Sequence, residues 1–149
     1  MTESEHQILL MCWAKKSALA GRAECNLLFH IPNGGSRSGR EGVMFKAMGV
    51  KPGVSDLFLP VMKFDCCGDA SGGLWIEMKA EGGRESEDQI KWLNLMRIGG
   101  YEARVCFGWE EAIEAIKEYL GGEWPNVEMG EMADRMMAGA GAGSAAVAK

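Results

Sequence analysis

The chain has 149 residues, of which 47% are hydrophobic, and its formal net charge is -5 at neutral pH. This length and composition predict one domain with a buried core. The chain is too short for two domains that would each have a core of their own. No long apolar run occurs and the chain begins MTESEHQ, so a membrane span and a signal peptide are both disfavoured, and a cytoplasmic location is expected.

The five cysteines favour neither a disulfide framework nor a structural zinc site. Their number is odd and no two have CxxC spacing, whereas both kinds of site use paired cysteines at short intervals. We therefore expect reduced thiols at all five positions.

Charge is distributed unevenly along the chain. Residues 1–108 hold 13 basic and 13 acidic residues, and residues 109–149 hold 3 basic and 8 acidic ones. Between residues 30 and 52 a single carboxylate, Glu41, stands against four cations: Arg37, Arg40, Lys46 and Lys51. This local surplus predicts a surface that contacts a nucleic-acid backbone, and an ordinary solvated loop is the alternative.

The first half of the chain alternates helical and extended patterns. A capping box at Thr2-x-x-Glu5 predicts a first helix that ends at Gly21. The segment NLLFHIP (26–32) predicts a strand, and NGGSRSGRE (33–41) predicts a mobile loop. A short helix is expected over 41–48, with Val43, Met44 and Met48 facing inward.

The second half completes an α/β pattern. Strands are predicted over 56–61, 74–80 and 101–107, a turn-rich excursion over 63–73, and helices over 86–98 and 109–120. The order implies a mixed central sheet with helices on both faces. We place the domain at 1–122 and expect a mostly flexible tail at 123–149, whose Met-rich part could instead pack as a short helix on the domain or on a second subunit.

The segment LWIEMKA carries the residues that point to chemistry. Side chains alternate along a strand, so Glu77 and Lys79 lie on one face, and Asp56 starts a neighbouring strand. Two carboxylates at adjacent strand ends form a hard oxygen site for Mg²⁺ or Mn²⁺, with substrate phosphate and water completing the coordination. A nearby lysine can orient water or stabilise a phosphoryl transition state. Taken alone, however, E-x-K on a strand is most often a surface ion pair.

The wider context resembles a known nuclease family. SD followed about twenty residues later by E-x-K, both on strands, resembles the PD-(D/E)xK nuclease motif. The fuller pattern resembles the short stand-alone phage or bacterial type of the virus-type replication-repair nuclease (VRR-NUC) family across roughly residues 3–120, through ESEHQ, HIPNGG, KAMGVKPGVSDLFLPV, LWIEMKAEGGRESEDQIKWL and GYEARVCFGWEEAIEAI. This resemblance implies a restriction-endonuclease-like core. Ser55 replaces the motif's proline, a position that shapes the turn rather than the chemistry.

The resemblance implies a role for each matching residue. Asp56 and Glu77 would bind the metal together with the backbone carbonyl of Met78, and Lys79 would be the catalytic lysine. Gln89 would brace Lys79 or the attacking water, or would only cap its helix. Glu3 would complete the acidic site, with Glu5 as its competitor, although both also suit a helix start.

The same resemblance implies that His30 and Asn33 lie near the active site and that Arg37 and Arg40 contact the DNA backbone. It implies a metal-dependent, structure-selective DNA endonuclease of a bacterial or phage-infected cell. The favoured form is a homodimeric Holliday-junction resolvase, because two symmetric cuts in a four-way junction need two active sites. The alternatives are a nuclease for flaps or single strands, a non-catalytic nucleic-acid-binding module of the same fold, and a small binding protein with an incidental E-x-K strand.

Overall fold

The computed structural model describes residues 1–32 and 39–143. The helices are α1 (Glu3–Leu19), α2 (Gly39–Ala47), α3 (Glu87–Ile98), α4 (Trp109–Leu120) and α5 (Glu131–Gly143), with a 3-10 turn at Ala23–Leu27. The strands are β1 (Phe29–His30), β2 (Leu57–Leu59), β3 (Lys63–Phe64), β4 (Ala70–Ser71), β5 (Leu74–Lys79) and β6 (Glu102–Phe107).

Four strands form a mixed sheet in the order β1-β2-β5-β6. The first two pairs are antiparallel, whereas β5 and β6 are parallel and are connected by α3. The remaining strands, β3 and β4, pair as a separate antiparallel hairpin inside the excursion that was predicted to be rich in turns. The predicted α/β class and mixed sheet are therefore confirmed.

The two faces of the sheet carry different residues, as the alternation along β5 predicted. Leu74, Ile76 and Met78 are fully buried in a core shared with α1 and α4. Trp75 lies on the other face, where its ring packs edge-on against Trp92 of α3 at a centroid separation of 5.4 Å. Glu77 and Lys79 follow Trp75 on this second face, which brings them close to the start of α3.

The strand predicted over 26–32 is shorter than expected. Only Phe29 and His30 pair with β2, and the preceding residues form the 3-10 turn. This turn buries Cys25 in the core, at 3% exposure. A run of apolar residues does not by itself distinguish a strand from a turn that packs inward.

The expected orientation of the short helix is wrong. None of the residues of α2 is buried, and Val43, Met44 and Met48 are 71%, 64% and 71% exposed. Apolar residues at helical spacing predict an apolar face, but the spacing does not reveal whether another element lies against that face.

Residues after Gly122 continue along the surface of the domain. The ring of Trp124 stacks on Trp13 of α1 with centroids 5.4 Å apart, and the guanidinium of Arg22 lies 3.8 Å from the centre of the Trp124 ring. Farther along, Lys16 donates a hydrogen bond to the carbonyl of Glu128 at 2.8 Å. The predicted domain boundary after Gly122 and the flexibility of the tail remain predictions.

No described helix is long and apolar enough to cross a bilayer. The five cysteines, which all lie in the described ranges, are free thiols.

Candidate active site

Asp56 and Glu77 are brought together by the pairing of β2 with β5. Leu57 lies opposite Ile76 in this antiparallel pair, so Asp56, one residue before β2, lies beside Glu77. The backbone N–H of Met78 donates a hydrogen bond to Asp56 Oδ2 at 2.8 Å. The predicted neighbourhood of the two carboxylates is therefore present, and a backbone hydrogen bond orients one of them.

Glu77 and Lys79 form a buried ion pair at the end of β5. The two residues are 1% and 4% exposed, and Lys79 Nζ lies 2.7 Å from Glu77 Oε1. The side-chain amide of Gln89 also donates to Oε1. In contrast, Glu77 Oε2 is buried and has no hydrogen-bond partner in the described part of the chain. A buried carboxylate oxygen without a partner is costly, so this atom is suited to a ligand.

Gln89 caps its helix and also contacts the cluster, but through Glu77 rather than through Lys79 or a water as expected. Its Oε1 accepts a hydrogen bond from the backbone N–H of Ser86 at 2.7 Å, which completes the capping box of α3. Its Nε2 donates to Glu77 at the same time. The helix cap thus orients the amide that holds the buried carboxylate.

Glu3 and Glu5 differ in their surroundings. Glu3 Oε1 lies 3.7 Å from Lys79 Nζ, and the Glu3 side chain is half exposed. Glu5 Oε2 instead accepts hydrogen bonds from the backbone N–H and the hydroxyl of Thr2, and the backbone bond is the main cause of its lowered pKa. Of these two competitors, Glu3 is the one that lies beside Lys79 and Glu77.

His30 joins β1 to the start of β2. Its Nδ1 lies 2.9 Å from the carbonyl oxygen of Asp56, which also accepts the N–H of Ile31 at 2.8 Å. A cavity of about 440 Å³ opens at this point. It is lined by Glu3, Ser4, Gln7, Ile8, His30, Pro32 and Asp56. The imidazole is therefore beside the candidate site, as expected.

The predicted backbone-binding residues lie on the excursion between β1 and β2. Arg40 and Lys46 belong to α2, Lys51 follows it, and all three are exposed. Asn33 and Arg37 lie outside the described residues.

Gly53 is a positioning residue that the sequence analysis did not identify. Its φ is +76°, and a Cβ at this position would overlap the backbone carbonyl of Asp88 and lie 2.7 Å from the backbone nitrogen of Gln89. Only glycine allows the turn before Asp56 to pack this closely on the first turn of α3. The KPG sequence predicted a turn but contained no signal for its neighbour.

Burial controls the protonation of the two carboxylates. It raises the pKa of Glu77 to about 7 although the Lys79 ammonium opposes this shift, and it also raises the pKa of Asp56. Burial alone would lower the pKa of Lys79, but its hydrogen bond to Glu77 and the charges of Glu77, Glu3 and Asp56 raise it. Additional positive charge beside Glu77 and Asp56 would favour their ionised forms.

The donor set fits an open divalent-cation site rather than a closed cage. Among the described residues, no three His, Cys, Asp or Glu side chains converge as a ready-made metal site. Mg²⁺ is typically held by only one or two carboxylates together with substrate phosphate and water. Asp56 and the unpartnered Oε2 of Glu77 match that requirement.

Comparisons with known proteins found similarity among solved structures. No protein-family model matches the chain, and no curated protein does. A solved structure described as a VRR_NUC domain protein is similar, with a TM-score of 0.67 and 29% sequence identity, over 80% of this chain and 88% of that chain. The resemblance drawn from the sequence is thereby confirmed, together with the fold.

Proposed function

This chain is of the VRR-NUC type in both sequence motif and fold, and from that premise we propose that it is a metal-dependent, structure-selective DNA endonuclease that hydrolyses phosphodiester bonds. The observation that carries the proposal is the buried Glu77, which is paired with Lys79 and lies beside Asp56 with one oxygen unpartnered. A buried charged cluster with an open ligand position is costly for a purely structural strand and is typical of a functional site.

In this proposal Asp56, Glu77 and the backbone carbonyl of Met78 hold Mg²⁺ or Mn²⁺, and Glu3 adds acidic character at the rim. When bound, the ion would supply Lewis-acid stabilisation of the charge that develops on the phosphate. Gln89 keeps the Glu77 carboxylate in place through its amide. Lys79, whose ammonium is fixed 2.7 Å from Glu77, would donate a hydrogen bond to a phosphate oxygen or orient the attacking water.

DNA is the proposed substrate, and a four-way junction is the proposed preferred form. His30, Asn33, Arg37, Arg40, Lys46 and Lys51 are proposed to contact the DNA backbone. Two symmetric cuts in a junction need two active sites, so the working form would be a homodimer.

The test is cleavage of labelled four-way, flap and linear DNA of matched sequence, with Mg²⁺ or Mn²⁺, by the native protein and Lys79→Ala. We expect paired symmetric cuts in the four-way junction and a loss of rate of at least about 100-fold in the variant, since a charge that acts in the transition state is removed. Lys63→Ala, which changes a lysine on the separate hairpin, is the matched control and should cut normally.

Two outcomes would contradict parts of this proposal. Equal cutting of flaps, single strands and junctions would contradict the resolvase form and leave a nuclease of broader preference. Binding to junctions without cutting under any divalent cation would contradict catalysis.

A further inference from the structure

An apolar stripe, formed by Val43 and Met44 of α2 and by Met48 in the turn that follows it, is uncovered in the described part of the chain. All three side chains are more than 60% exposed, and no residue of α2 is buried. The backbone N–H of Met48 donates a hydrogen bond to the carbonyl of Met44 at 2.9 Å, so the helical turn continues to Met48. The side chains of Met44 and Met48, with Val43 beside them, therefore share one face. Phe45 is half-buried and is the only residue of α2 that is not exposed. A helix of this length gains little stability from so small a packed face, which favours a partner that covers the stripe.

We propose that the apolar stripe contacts the exposed faces of DNA bases at a branch point or an opened base step. This inference rests on the nuclease function proposed above and assigns residues to its structural selectivity. Apolar side chains, including methionine, enter opened base steps in several kinds of DNA-binding protein. Bases in a continuous duplex are stacked and hidden from such a contact, whereas a branch point exposes them.

The topology limits how far the stripe can lie from the candidate active site. The excursion that contains α2 leaves the sheet after His30 and returns at Asp56, and these two residues are hydrogen-bonded at 2.9 Å. Asp56 follows Ala47, the end of α2, by nine positions, and a fully extended chain of that length spans at most about 30 Å. DNA with a phosphate at Asp56 therefore has its neighbouring nucleotides within reach of α2.

The charges around the stripe favour DNA over a second copy of the chain. Arg40, Lys46 and Lys51 are exposed next to it, and Glu41 is the only acidic residue of α2. Phosphates flanking an opened base step would pair with these cations. Stripe-to-stripe association of two copies would instead bring two sets of like charges together, which opposes pairing.

The experiment measures dissociation constants for a four-way junction and for a linear duplex of the same length, without a divalent metal so that neither is cut. The test variant is Met44→Gln with Met48→Gln, which keeps side-chain length and helix propensity. Val43→Thr, nearly the same in shape, is a second variant. The matched control is Met62→Gln, a methionine with 62% exposure outside α2.

We expect the preference for junction over duplex to fall about tenfold in the double variant and by a smaller factor in Val43→Thr, with no change in Met62→Gln. Arg40→Ala with Lys46→Ala should instead weaken binding to both DNAs and lower the slope of log affinity against log salt by about 2.

Three results would overturn the inference: an unchanged preference in the double variant, an equal loss on both DNAs, or a DNA-free dimer that becomes a monomer in the double variant by light scattering. The last result would assign the stripe to a second copy. Cleavage assays on the same proteins separate this inference from the proposed function. If the native protein prefers junctions but never cuts them, and the double variant loses that preference, the stripe is supported and the nuclease is contradicted. If both proteins cut DNA and the double variant keeps the preference, the nuclease is supported and the stripe is contradicted.

Discussion

Glu77 is the residue on which the candidate site depends most. Its two oxygens have opposite surroundings, because Oε1 accepts from both Lys79 and Gln89 while Oε2 has no partner in the described ranges. The first oxygen is fixed by its donors and the second is open to a ligand. A buried group with this asymmetry is expected to respond to both pH and metal.

The pH dependence of stability should reveal this carboxyl group. Its pKa is about 7 in the folded protein, whereas the ordinary value for a glutamate is 4.5. Its contribution to stability is therefore fully present below pH 4.5 and is lost as pH rises through 7. With a metal chelator present, we compare the free energy of unfolding of the native protein with that of Glu77→Gln. The difference between the two should fall by up to about 3 kcal/mol as the pH rises from 5 to 8. Urea denaturation of both proteins at several pH values measures this difference. A rise over the same interval would contradict the burial effect, and added Mg²⁺ should oppose the fall.

Gln89→Glu separates the two contacts of Gln89. A glutamate can still accept from Ser86 and keep the capping box, but it cannot donate to Glu77 and adds a carboxylate beside it. We expect at least about tenfold slower single-turnover cleavage at neutral pH, with the rate recovering toward higher pH, because like charge raises the pKa of Glu77 further. Ser86→Ala is the control: it should cost about 1 kcal/mol of stability without adding charge. Equal cleavage rates for Gln89→Glu and the native protein would show that the amide has no positioning role.

At the scale of elements, the turn before β2 and the start of α3 act as one unit. Gly53 packs against the backbone of Asp88 and Gln89, and Gln89 holds Glu77. The same turn leads within three residues to Asp56. A displacement of α3 from this turn would therefore change the positions of a metal-site carboxylate and of the amide that braces its neighbour.

Gly53→Ala tests this coupling, with Gly49→Ala as a matched control. Both glycines have positive φ, +76° and +96°, but a Cβ at Gly49 would meet nothing within 4 Å. The control therefore carries only the backbone cost, on the order of 1 kcal/mol. Gly53→Ala should lose at least about 2 kcal/mol more and cut DNA more slowly, since its Cβ forces the two backbones apart. Denaturation and single-turnover cleavage measure the two effects. Equal destabilisation by both substitutions would show that the close approach is not rigid.

At the scale of the whole molecule, the segment that follows α4 ties the last part of the chain to the first helix. Trp124 stacks on Trp13, and Arg22 covers the Trp124 ring while donating hydrogen bonds to the carbonyls of Gly121 and Glu123 at 2.9 and 2.8 Å. None of these contacts involves Asp56, Glu77 or Lys79. They therefore belong to the stability of the domain rather than to its chemistry.

Trp124→Ala should lose about 3 kcal/mol of unfolding free energy, because a large ring and its cation–π partner contact are removed together. Phe64→Ala, at 67% exposure, is the matched control and should lose less than about 0.5 kcal/mol. Thermal and urea unfolding of the native protein and of both variants measure these losses of stability. If the two variants were equally stable, the segment after Gly122 would contribute little to the domain.

Features that depend on neighbouring residues in the chain were predictable from sequence. Both capping boxes, at Thr2 and Ser86, form as predicted because each is a contact between residues three positions apart. The alternation along β5 likewise follows from backbone geometry, and it places Glu77 and Lys79 on one face. The predicted strands also placed Asp56 at the start of a strand beside them, and the strand register agrees with this. The resemblance to VRR-NUC proteins added the roles expected of these residues.

What the sequence by itself determined is therefore the α/β class, the order of most elements and the residues that make up the candidate site. Only the tertiary structure decided that the apolar face of α2 points outward, that Gly53 abuts α3 and that Trp124 returns to α1. The physical reason is that helical and strand periodicity arise from local backbone geometry. Burial and close approach instead depend on which distant segments come to lie against each other, and no local pattern encodes that partner.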